Sequence, residues 1–327
     1  MPGDVTCLLC PRRCRIPPGA AGDCRVRVNL DGRLLAVTYG RPVAVHVDPM
    51  EKKPLFHFLP GAEIFSLATV GCNLHCIHCQ NWEISQADPG EHDVYDLPPD
   101  RVAAVAAHEG CRAVAWTYTE PIVFYEYTYD GSVACRERGL KTVLVSAGYA
   151  NPRPWRRLCG VIDAAILDLK AFSDAHYREV CGGTLAPVLE AIRIAHEEGV
   201  WIEVLNLLVP TRNDDPALVD ALVDWMLTTL GPDVPLHFTA FHPDYRLKNL
   251  PPTPTRTLLA ARKRALGAGL HHVYVGNVPG GEAECTWCPA CHARLVHRVG
   301  YRVLENRLAA TGGRCPECGA QVAGVWA

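Results

Sequence analysis

Three cysteines near residue 75 have the types and spacing of a metal-cluster site. Cys72, Cys76 and Cys79 form a C-x3-C-x2-C pattern directly after an apolar run, 64–70, that we predict to be a strand. Three thiolates at this spacing can bind one face of a four-iron, four-sulfur cube. A cube needs four ligands and no fourth cysteine is close in the sequence, so one iron is predicted to be open to a non-protein ligand. An open coordination position is typical of a reactive metal site.

A zinc site completed by His75 or His78 is the alternative for the same segment. The predicted position of the cysteines favours the cluster. They lie at the carboxyl end of a strand in an α/β pattern, where the active sites of parallel α/β proteins are found.

Four cysteines form a second group at the N-terminus. Cys7, Cys10, Cys14 and Cys24 have the spacing C-x2-C-x3-C-x9-C. Four thiolates within 18 residues suit one zinc ion or one cubane iron–sulfur cluster, and the spacing leaves both open.

A third group lies near the C-terminus. Cys288, Cys291, Cys315 and Cys318 form C-x2-C-x23-C-x2-C. Two such pairs predict a four-cysteine zinc ribbon, with an auxiliary iron–sulfur cluster as the alternative. The sequence thus implies Zn²⁺ at one or two sites.

The chain contains 16 cysteines, and its first residues are neither basic nor followed by an apolar stretch. We therefore expect a cytoplasmic protein whose thiols are ligands rather than disulfides. Cys111, Cys135, Cys159 and Cys181 are scattered between the groups. We expect them to be small buried hydrophobic residues.

The middle of the chain alternates short apolar runs with amphipathic stretches, which predicts an α/β fold with parallel strands. Either a wound barrel, full or partial, or an open doubly wound sheet fits the pattern. No G-x-G-x-x-G motif follows the first strand, which disfavours a dinucleotide-binding fold. The predicted strands are 64–70, 113–118, 142–145, 164–169, 201–208, 236–240 and 273–275.

Three regions follow from these changes in pattern. We predict a Cys-rich N-terminal module over residues 1–62, which includes a small hairpin of 34–39 and 43–47, an α/β domain over 63–280, and a ribbon-like tail over 281–327.

Composition excludes several classes of protein. The 327 residues are 49% hydrophobic and 20% charged, which is typical of a globular chain and not of a disordered one. No apolar run is long enough to span a membrane. The net charge of −3 gives no indication of nucleic-acid binding.

The cysteine triple resembles the signature of the radical S-adenosylmethionine (SAM) superfamily, with His78 where that family has an aromatic residue. The segments CLLCPRRC (7–14), DPMEKKPLFHFLPG (48–61) and CQNWEISQ (79–86) resemble the AmmeMemoRadiSam-system radical SAM enzymes. Those enzymes are relatives of the pyruvate formate-lyase activating enzyme, a glycyl-radical activase.

This resemblance implies a partial (β/α)6 barrel of the TIM type. It implies that Cys72, Cys76 and Cys79 hold a [4Fe–4S] cluster and that SAM binds the open iron. An electron from the reduced cluster then cleaves SAM to methionine and a 5′-deoxyadenosyl radical, which abstracts a hydrogen atom from the substrate.

The resemblance also implies residues that contact SAM. Thr119-Glu120-Pro121 resembles a Gly-Gly-Glu-Pro motif that holds the methionyl amine, and the match is to Glu120 and Pro121 because both glycines are replaced. A helix start with Glu in its first turn is equally typical of these residues. Asp168 and Lys170 resemble an Asp-x-Lys motif near the SAM carboxylate and a monovalent cation.

Four further residues complete the predicted SAM site. His78 is expected against the adenine, and Ser146 and Asn206 against the ribose or methionine. His242 resembles a histidine on the ribose and adenine side of SAM, although a lone His beside a Pro turn is often structural.

The sequence therefore predicts a radical SAM enzyme, an oxidoreductase that acts on a protein or peptide. Expected partners are an electron donor such as flavodoxin or ferredoxin and the accompanying AmmeMemoRadiSam-system proteins. The alternatives are a non-catalytic iron–sulfur scaffold or electron carrier, and radical modification of RNA or a small molecule.

Overall fold

The computed structural model describes residues 3–278 and 281–327. Its N-terminal region consists of two small antiparallel pairs of strands. The turn between β3 and β4 is the dipeptide Asp31-Gly32, and both residues have positive φ, as a two-residue hairpin turn requires. The strands are β1 (Val5–Thr6), β2 (Arg15–Ile16), β3 (Arg27–Leu30) and β4 (Arg33–Ala36).

The predicted hairpin of 34–39 with 43–47 is wrong. Because Asp31-Gly32 turns the chain earlier, β4 pairs with β3 instead. The next strand, 44–49, pairs with the first strand of the central sheet. Part of the predicted N-terminal module therefore belongs to the central sheet, while the predicted boundaries at 62 and 280 stay predictions. Residue 280 lies outside the described residues.

The central sheet has eight strands, β5 to β12, and each strand lies beside the strands that precede and follow it in the chain. All seven predicted strands are present and parallel, and only β5 runs antiparallel to its neighbour. The order never reverses, so the sheet is singly wound and has no topological switch point. Its closure into a partial barrel stays a prediction. The strands are β5 (Ala44–Pro49), β6 (Glu63–Ala68), β7 (Ala113–Trp116), β8 (Lys141–Ser146), β9 (Ala164–Asp168), β10 (Trp201–Leu208), β11 (Leu236–Ala240) and β12 (Val273–Gly276).

Helices connect the parallel strands and form the main hydrophobic core with them. Proline lies at the start of three of these helices, where its missing N–H costs nothing. The helices are α1 (Trp82–Ser85), α2 (Pro99–His108), α3 (Tyr125–Glu137), α4 (Pro152–Cys159), α5 (Asp174–His176), α6 (Leu185–Glu197), α7 (Pro216–Thr229) and α8 (Thr255–Ala268). In the part of the chain that the structure describes, no helix is long and apolar enough to cross a membrane.

A second, smaller core covers other side chains of the same strands. Met50, Leu55 and Phe58 pack there against small strand residues such as Ala113 and Ala164. The segment after β5 therefore fills the space over the small side chains of the sheet.

The C-terminal region is a three-stranded antiparallel sheet that is attached to the rest of the chain by buried charge. Arg298 and Glu51 are both fully buried, with Nε and Oε1 3.3 Å apart, and Arg298 also donates to the Phe56 carbonyl oxygen at 2.5 Å. The strands are β13 (Thr286–Trp287), β14 (Arg294–Val299) and β15 (Arg302–Asn306).

Candidate active site and cysteine groups

The loop that carries the cysteine triple leaves β6 at the carboxyl edge of the central sheet. It begins at Gly71, whose φ is +95°. A Cβ on this residue would lie 2.7 Å from the carbonyl oxygen of Cys24 and 2.7 Å from the side chain of Val26. Glycine is therefore required where the loop passes the N-terminal region.

The middle of the loop is fixed by backbone hydrogen bonds to the segment before α6. The amide of His75 donates to the carbonyl oxygen of Cys181 at 2.8 Å, and the amide of Ile77 donates to that of Val180 at 2.9 Å. These bonds satisfy buried backbone groups that no strand or helix pairs.

A large cavity opens where the parallel strands end. Its empty space is about 1630 Å³, counting the part that is open to solvent. This is the edge at which parallel α/β proteins bind ligands. Most of the predicted site residues are on its walls: Cys72, Cys76, Cys79, His78, Thr119, Glu120, Ser146, Asp168, Lys170 and His242.

Glu120 is a buried acid that is held in place by three hydrogen-bond donors. It accepts hydrogen bonds from the Ser146 hydroxyl at 2.7 Å and from the Ala147 and Ile122 amides at 2.9 and 3.3 Å. Burial raises the pKa of Glu120, against the effect of these hydrogen bonds. A buried acid at a cavity wall is arranged to receive a cationic group such as an ammonium. The helix start predicted here begins only at Tyr125, because residues 121–124 form a turn.

Asp168 and Lys170 form an ion pair at the end of β9, with Nζ and Oδ2 2.6 Å apart. Burial by itself would lower the pKa of Lys170, but Asp168 and Cys76 raise it, so the amine is a cation. A fixed positive charge beside thiolates favours an anionic cluster and a carboxylate ligand.

His78 lies between the last two cysteines of the triple and is buried. Burial, and next to it the charge of Lys170, lower its pKa to about 3, so the imidazole is neutral. Within residues 3–278 and 281–327, its Nδ1 has no hydrogen-bond partner. An uncharged ring of this kind suits contact with an aromatic ligand.

The geometry disagrees with a zinc ion at this triple. Both ring nitrogens of His75 are engaged, by Gln86 at 3.0 Å and Asp23 at 2.8 Å. His78 and the three thiols do not form a set of ligand atoms within 4.8 Å of one another in the described part of the chain. Two sulfurs on one zinc ion are at most about 4.6 Å apart, twice the Zn–S bond length.

Asn206 is the predicted SAM contact that does not line the cavity. Its amide donates to the Leu169 carbonyl oxygen at 2.7 Å. Asn213, which the sequence analysis did not identify, donates to the Lys170 carbonyl oxygen at 2.8 Å. The two amides fix the turn that presents Asp168 and Lys170, so Asn206 acts on the site through the backbone rather than by contact with the cavity.

The sequence analysis did not identify two features of the site. Cys181, predicted to be a small buried hydrophobic residue, is fully buried and lies beside Cys76, and the neighbouring Cys181 thiol lowers the pKa of Cys76. Cys181 is not on the cavity wall. No local spacing marks it, because it is 102 residues beyond Cys79.

The second missed feature is a cluster of charges in the segment 48–61. Asp48 accepts hydrogen bonds from Lys52 at 2.7 Å and from Lys53 at 2.6 Å, and also from the Tyr118 hydroxyl. Both lysines line the cavity. Although burial opposes it, these contacts lower the pKa of Asp48.

The C-terminal cysteines are arranged around one point. The sulfurs of Cys288 and Cys318 are 3.7 Å apart and those of Cys291 and Cys315 are 3.6 Å apart. A tetrahedral zinc ion with bonds of about 2.3 Å separates its sulfurs by about 3.8 Å. This group is a four-cysteine metal site, and its geometry suits a single tetrahedral ion.

The N-terminal cysteines line a smaller cavity. It contains about 320 Å³ of empty space, counting the part that is open to solvent, and all four thiols are on its walls: Cys7, Cys10, Cys14 and Cys24. Arg12 and Arg27 lie among them. In contrast to the C-terminal group, no three of the four sulfurs lie within 4.8 Å of one another.

The N-terminal cavity is next to the cysteine triple. Arg12 donates to the carbonyl oxygens of Asn73 and Gly182, both at 2.6 Å. Asn73 directly follows Cys72, and its side chain contacts Cys10. A single residue therefore touches both cysteine groups.

Comparison with known proteins agrees with this geometry. The sequence profile described as "Radical SAM superfamily" matches residues 66–222, which include the triple, Glu120 and the Asp168–Lys170 pair. An uncharacterised protein of Methanocaldococcus jannaschii is 44% identical over 97% of this chain and 95% of its own length. A pyruvate formate-lyase-activating enzyme of Listeria monocytogenes is 25% identical over 52% of this chain and 71% of its own.

Solved structures show the same fold at low sequence identity. A radical SAM methyltransferase from Sphaerobacter thermophilus matches with a TM-score of 0.52 and 13% identity, over 67% of each chain. Streptococcus suis SuiB bound to its precursor peptide matches with a TM-score of 0.51 and 13% identity, over 70% of this chain and 51% of that one.

The chain belongs to the radical SAM superfamily and is related to the pyruvate formate-lyase-activating enzymes. Membership identifies it as an enzyme and implies a [4Fe–4S] cluster and SAM. The residues around the cavity fit the cluster and SAM: the cysteine triple suits the cluster, and the buried Glu120 and the neutral His78 ring suit SAM.

Proposed function

We propose that this protein is an enzyme that cleaves SAM reductively and acts on a peptide or protein. The observation that carries the proposal is the set of residues that line the cavity at the cysteine triple. Among the residues that the structure describes, three thiols and no fourth cysteine line this cavity, and the rest of its wall presents Glu120 and the Asp168–Lys170 pair. Such a wall leaves one coordination position for a ligand with an amine and a carboxylate.

Cys72, Cys76 and Cys79 would hold the [4Fe–4S] cluster. When bound and reduced, the cluster supplies the electron that cleaves SAM to methionine and a 5′-deoxyadenosyl radical, which takes hydrogen from the substrate. The protein's own contribution is to fix charges around the cavity and to exclude water from it.

Each charged group of the cavity has a separate part in this proposal. Glu120 receives the ammonium of the methionyl group, since its carboxylate is preorganised by three donors. Lys170 balances negative charge on the cluster and on the ligand carboxylate. Asp168 holds Lys170 in place and offers a carboxylate for a monovalent cation.

Neutral groups on the same wall complete the proposed SAM site. His78 supplies an uncharged ring for the adenine. His242 is exposed at the mouth and supplies a contact for the ribose. The Ser146 hydroxyl donates to Glu120, so Ser146 positions Glu120 rather than contacting SAM by itself.

Exposed aromatic residues lie on or next to the segments that line the cavity, and Trp82 directly follows the lining residues Gln80 and Asn81. Trp82 stacks on Tyr245 with ring centroids 5.1 Å apart, and Trp82 is 38% exposed. Tyr301 reaches the same cavity from the C-terminal region. Exposed aromatic side chains near an opening are typical of peptide-binding surfaces. The kinship with pyruvate formate-lyase-activating enzymes is in keeping with a protein substrate.

We also propose that the enzyme belongs to the AmmeMemoRadiSam system, because its long motifs resemble those enzymes. The two accompanying proteins of that system are then the first partners or substrates to test. A flavodoxin or ferredoxin supplies the electron. The net charge of −3 supports a protein rather than a nucleic acid as the substrate class.

The test is anaerobic reconstitution with iron, sulfide and SAM, followed by reduction with dithionite. We expect 5′-deoxyadenosine from the wild type and none from Cys76→Ala. Cys111→Ala is the matched control, because that thiol is buried away from the cavity and the variant keeps activity. A wild-type protein that is loaded with cluster and yields no 5′-deoxyadenosine would overturn the proposal and support an electron carrier.

A further inference from the structure

The two terminal cysteine groups share the C-x2-C spacing and differ in geometry. The four C-terminal sulfurs all lie within 4.8 Å of one another. Among the four N-terminal sulfurs, every set of three contains a pair that is farther apart than this. One zinc ion holds its sulfurs no more than about 4.6 Å apart. The N-terminal sulfurs are therefore spread more widely than the four sulfurs around one zinc ion.

We infer that Cys7, Cys10, Cys14 and Cys24 hold a polynuclear iron–sulfur cluster, in addition to the one at the triple. In a cluster the cysteines bind different irons, so their sulfurs surround a larger body than a single ion. The Cys72–Cys76–Cys79 triple shows the same spread, with no three ligand atoms within 4.8 Å. The N-terminal group therefore matches the triple and not the zinc-like C-terminal group.

The cavity between the N-terminal thiols is enclosed by buried sulfurs and apolar side chains. Cys10 and Cys24 are buried, and Ile16, Ile122 and Val123 supply apolar walls. Apolar walls keep water away from sulfide bridges, and burial of this kind is one of the factors that set the reduction potential of a cluster.

Two guanidinium groups line the same cavity. Arg27 is 4% exposed, and among the described residues its Nε has no hydrogen-bond partner. Arg12 is held in place by the carbonyl oxygens that it binds. Each guanidinium also has a carboxylate partner, Glu126 for Arg27 and Asp23 for Arg12. A cluster with four thiolate ligands carries net negative charge, and guanidinium groups beside it offset part of the cost of burying that charge.

Backbone geometry also prepares the thiols for ligation. The amide of Cys7 donates to the Cys14 carbonyl oxygen at 2.9 Å, which brings the first and third cysteines of the group together. The Asp23 amide lies 3.4 Å from the Cys14 sulfur and donates to it. Amide donors to cysteine sulfur are a feature of cluster sites and tune their potential.

The decisive experiment measures metals in a variant that lacks the triple. The full chain with Cys72→Ala, Cys76→Ala and Cys79→Ala is produced with iron and zinc both supplied, and purified without oxygen. We expect about four irons with matching sulfide for a cubane, or about two for a two-iron cluster, and one zinc. The wild type is expected to hold about four irons more than this variant.

A second variant assigns the iron. Replacement of Cys7, Cys10, Cys14 and Cys24 by Ala should remove only the iron that the triple variant retains. If that variant does not fold, ⁵⁷Fe Mössbauer spectra of the triple variant decide the question, because they report whether the irons are sulfide-bridged and thiolate-bound. Cys135→Ala, in a buried thiol far from the cavity lining, is the matched control and should change no metal.

Two zinc ions and no iron in the triple variant would overturn the inference, and so would one zinc and no other metal. Neither result depends on SAM cleavage, since the triple variant is inactive by design. Failure of the proposed catalytic function and failure of this inference are therefore separate outcomes.

Discussion

The two terminal cysteine modules show how little the spacing of ligands says about what they hold. Both contain the C-x2-C spacing, once in the N-terminal group and twice in the C-terminal group. The C-terminal pairs face each other with sulfurs 3.6 to 3.7 Å apart, as one tetrahedral ion requires. The N-terminal thiols surround a cavity and are spread more widely. The fold around the pair, rather than the pair, decides how many metal ions fit.

The modules also differ in how they are attached to the central sheet. The C-terminal module is held by Arg298 and Glu51, both fully buried. The N-terminal module is held by Arg12 and Arg27, and the carboxylate partner of Arg27, Glu126, is about half exposed. A buried ion pair is costly to break, whereas a partly exposed one is screened by water. The two attachments should therefore respond differently to mutation.

The largest expected effect is loss of the C-terminal ion. Cys288→Ser should remove zinc and unfold residues 281–327, because binding of a structural zinc contributes about 10 kcal/mol or more to folding. Zinc analysis and hydrogen exchange of that region measure it. Cys285→Ser is the matched control, since Cys285 is buried three positions earlier but outside the group, and it should keep zinc. We expect the iron content to be unchanged, and loss of iron from Cys288→Ser would show that the two modules do not bind their metals independently.

The next effect concerns the buried attachment. Glu51→Gln leaves the Arg298 charge buried without its partner, and we expect a loss of about 3–5 kcal/mol in the free energy of unfolding. Denaturant unfolding of the metal-loaded protein measures it. The double variant Glu51→Leu with Arg298→Met should recover part of the loss, because it removes both charges. An equal or larger loss in the double variant would show that the pair is not what holds the module.

A third effect depends on pH. Asp48→Asn leaves Lys53 buried without its carboxylate, and we expect a loss of about 3 kcal/mol at pH 7. The pKa of Asp48 is below that of an unfolded chain, about 3.9, so the folded state binds fewer protons. The stabilisation is therefore complete above about pH 4 and is lost as pH falls. The difference in unfolding free energy between wild type and variant should stay constant above about pH 4 and shrink as the pH is lowered from about 4 towards 2. A constant difference over that lower range would refute the assignment.

The smallest effect is expected at the N-terminal attachment. Glu126→Gln weakens the ion pair with Arg27, and we expect a loss of about 1.5 kcal/mol, because the carboxylate is half exposed. Glu137→Gln, on the exposed end of the same helix, is the control and should change nothing measurable. A loss as large as that of Glu51→Gln would mean that the two modules are attached equally firmly.

Much of the site follows from local pattern. Strand-end placement put the cysteine triple, Glu120 and Lys170 at one edge of the sheet, because parallel strands end together. The structure brings these residues to one cavity wall. Asn206 shows the limit of this reasoning. It lies in the correct strand, but its side chain binds the Leu169 carbonyl oxygen instead of facing the cavity. Alternation of side chains along a buried strand does not reveal which face meets the ligand when both faces are apolar.

Long-range packing decided what local pattern did not. Cys181 joins Cys76 across 105 residues, and Arg298 joins Glu51 across 247. Nothing in either neighbourhood of the sequence predicts such a pair.

The amino-acid sequence alone determined the strand-and-helix order, the three cysteine groups and the superfamily, because each depends on residue types at short spacing. Only the tertiary structure decided how far apart the sulfurs of each group lie, which thiol lies behind the triple, and which charges attach the C-terminal module. Those properties depend on distances between segments that are remote along the chain, and such distances are set by packing of the whole core.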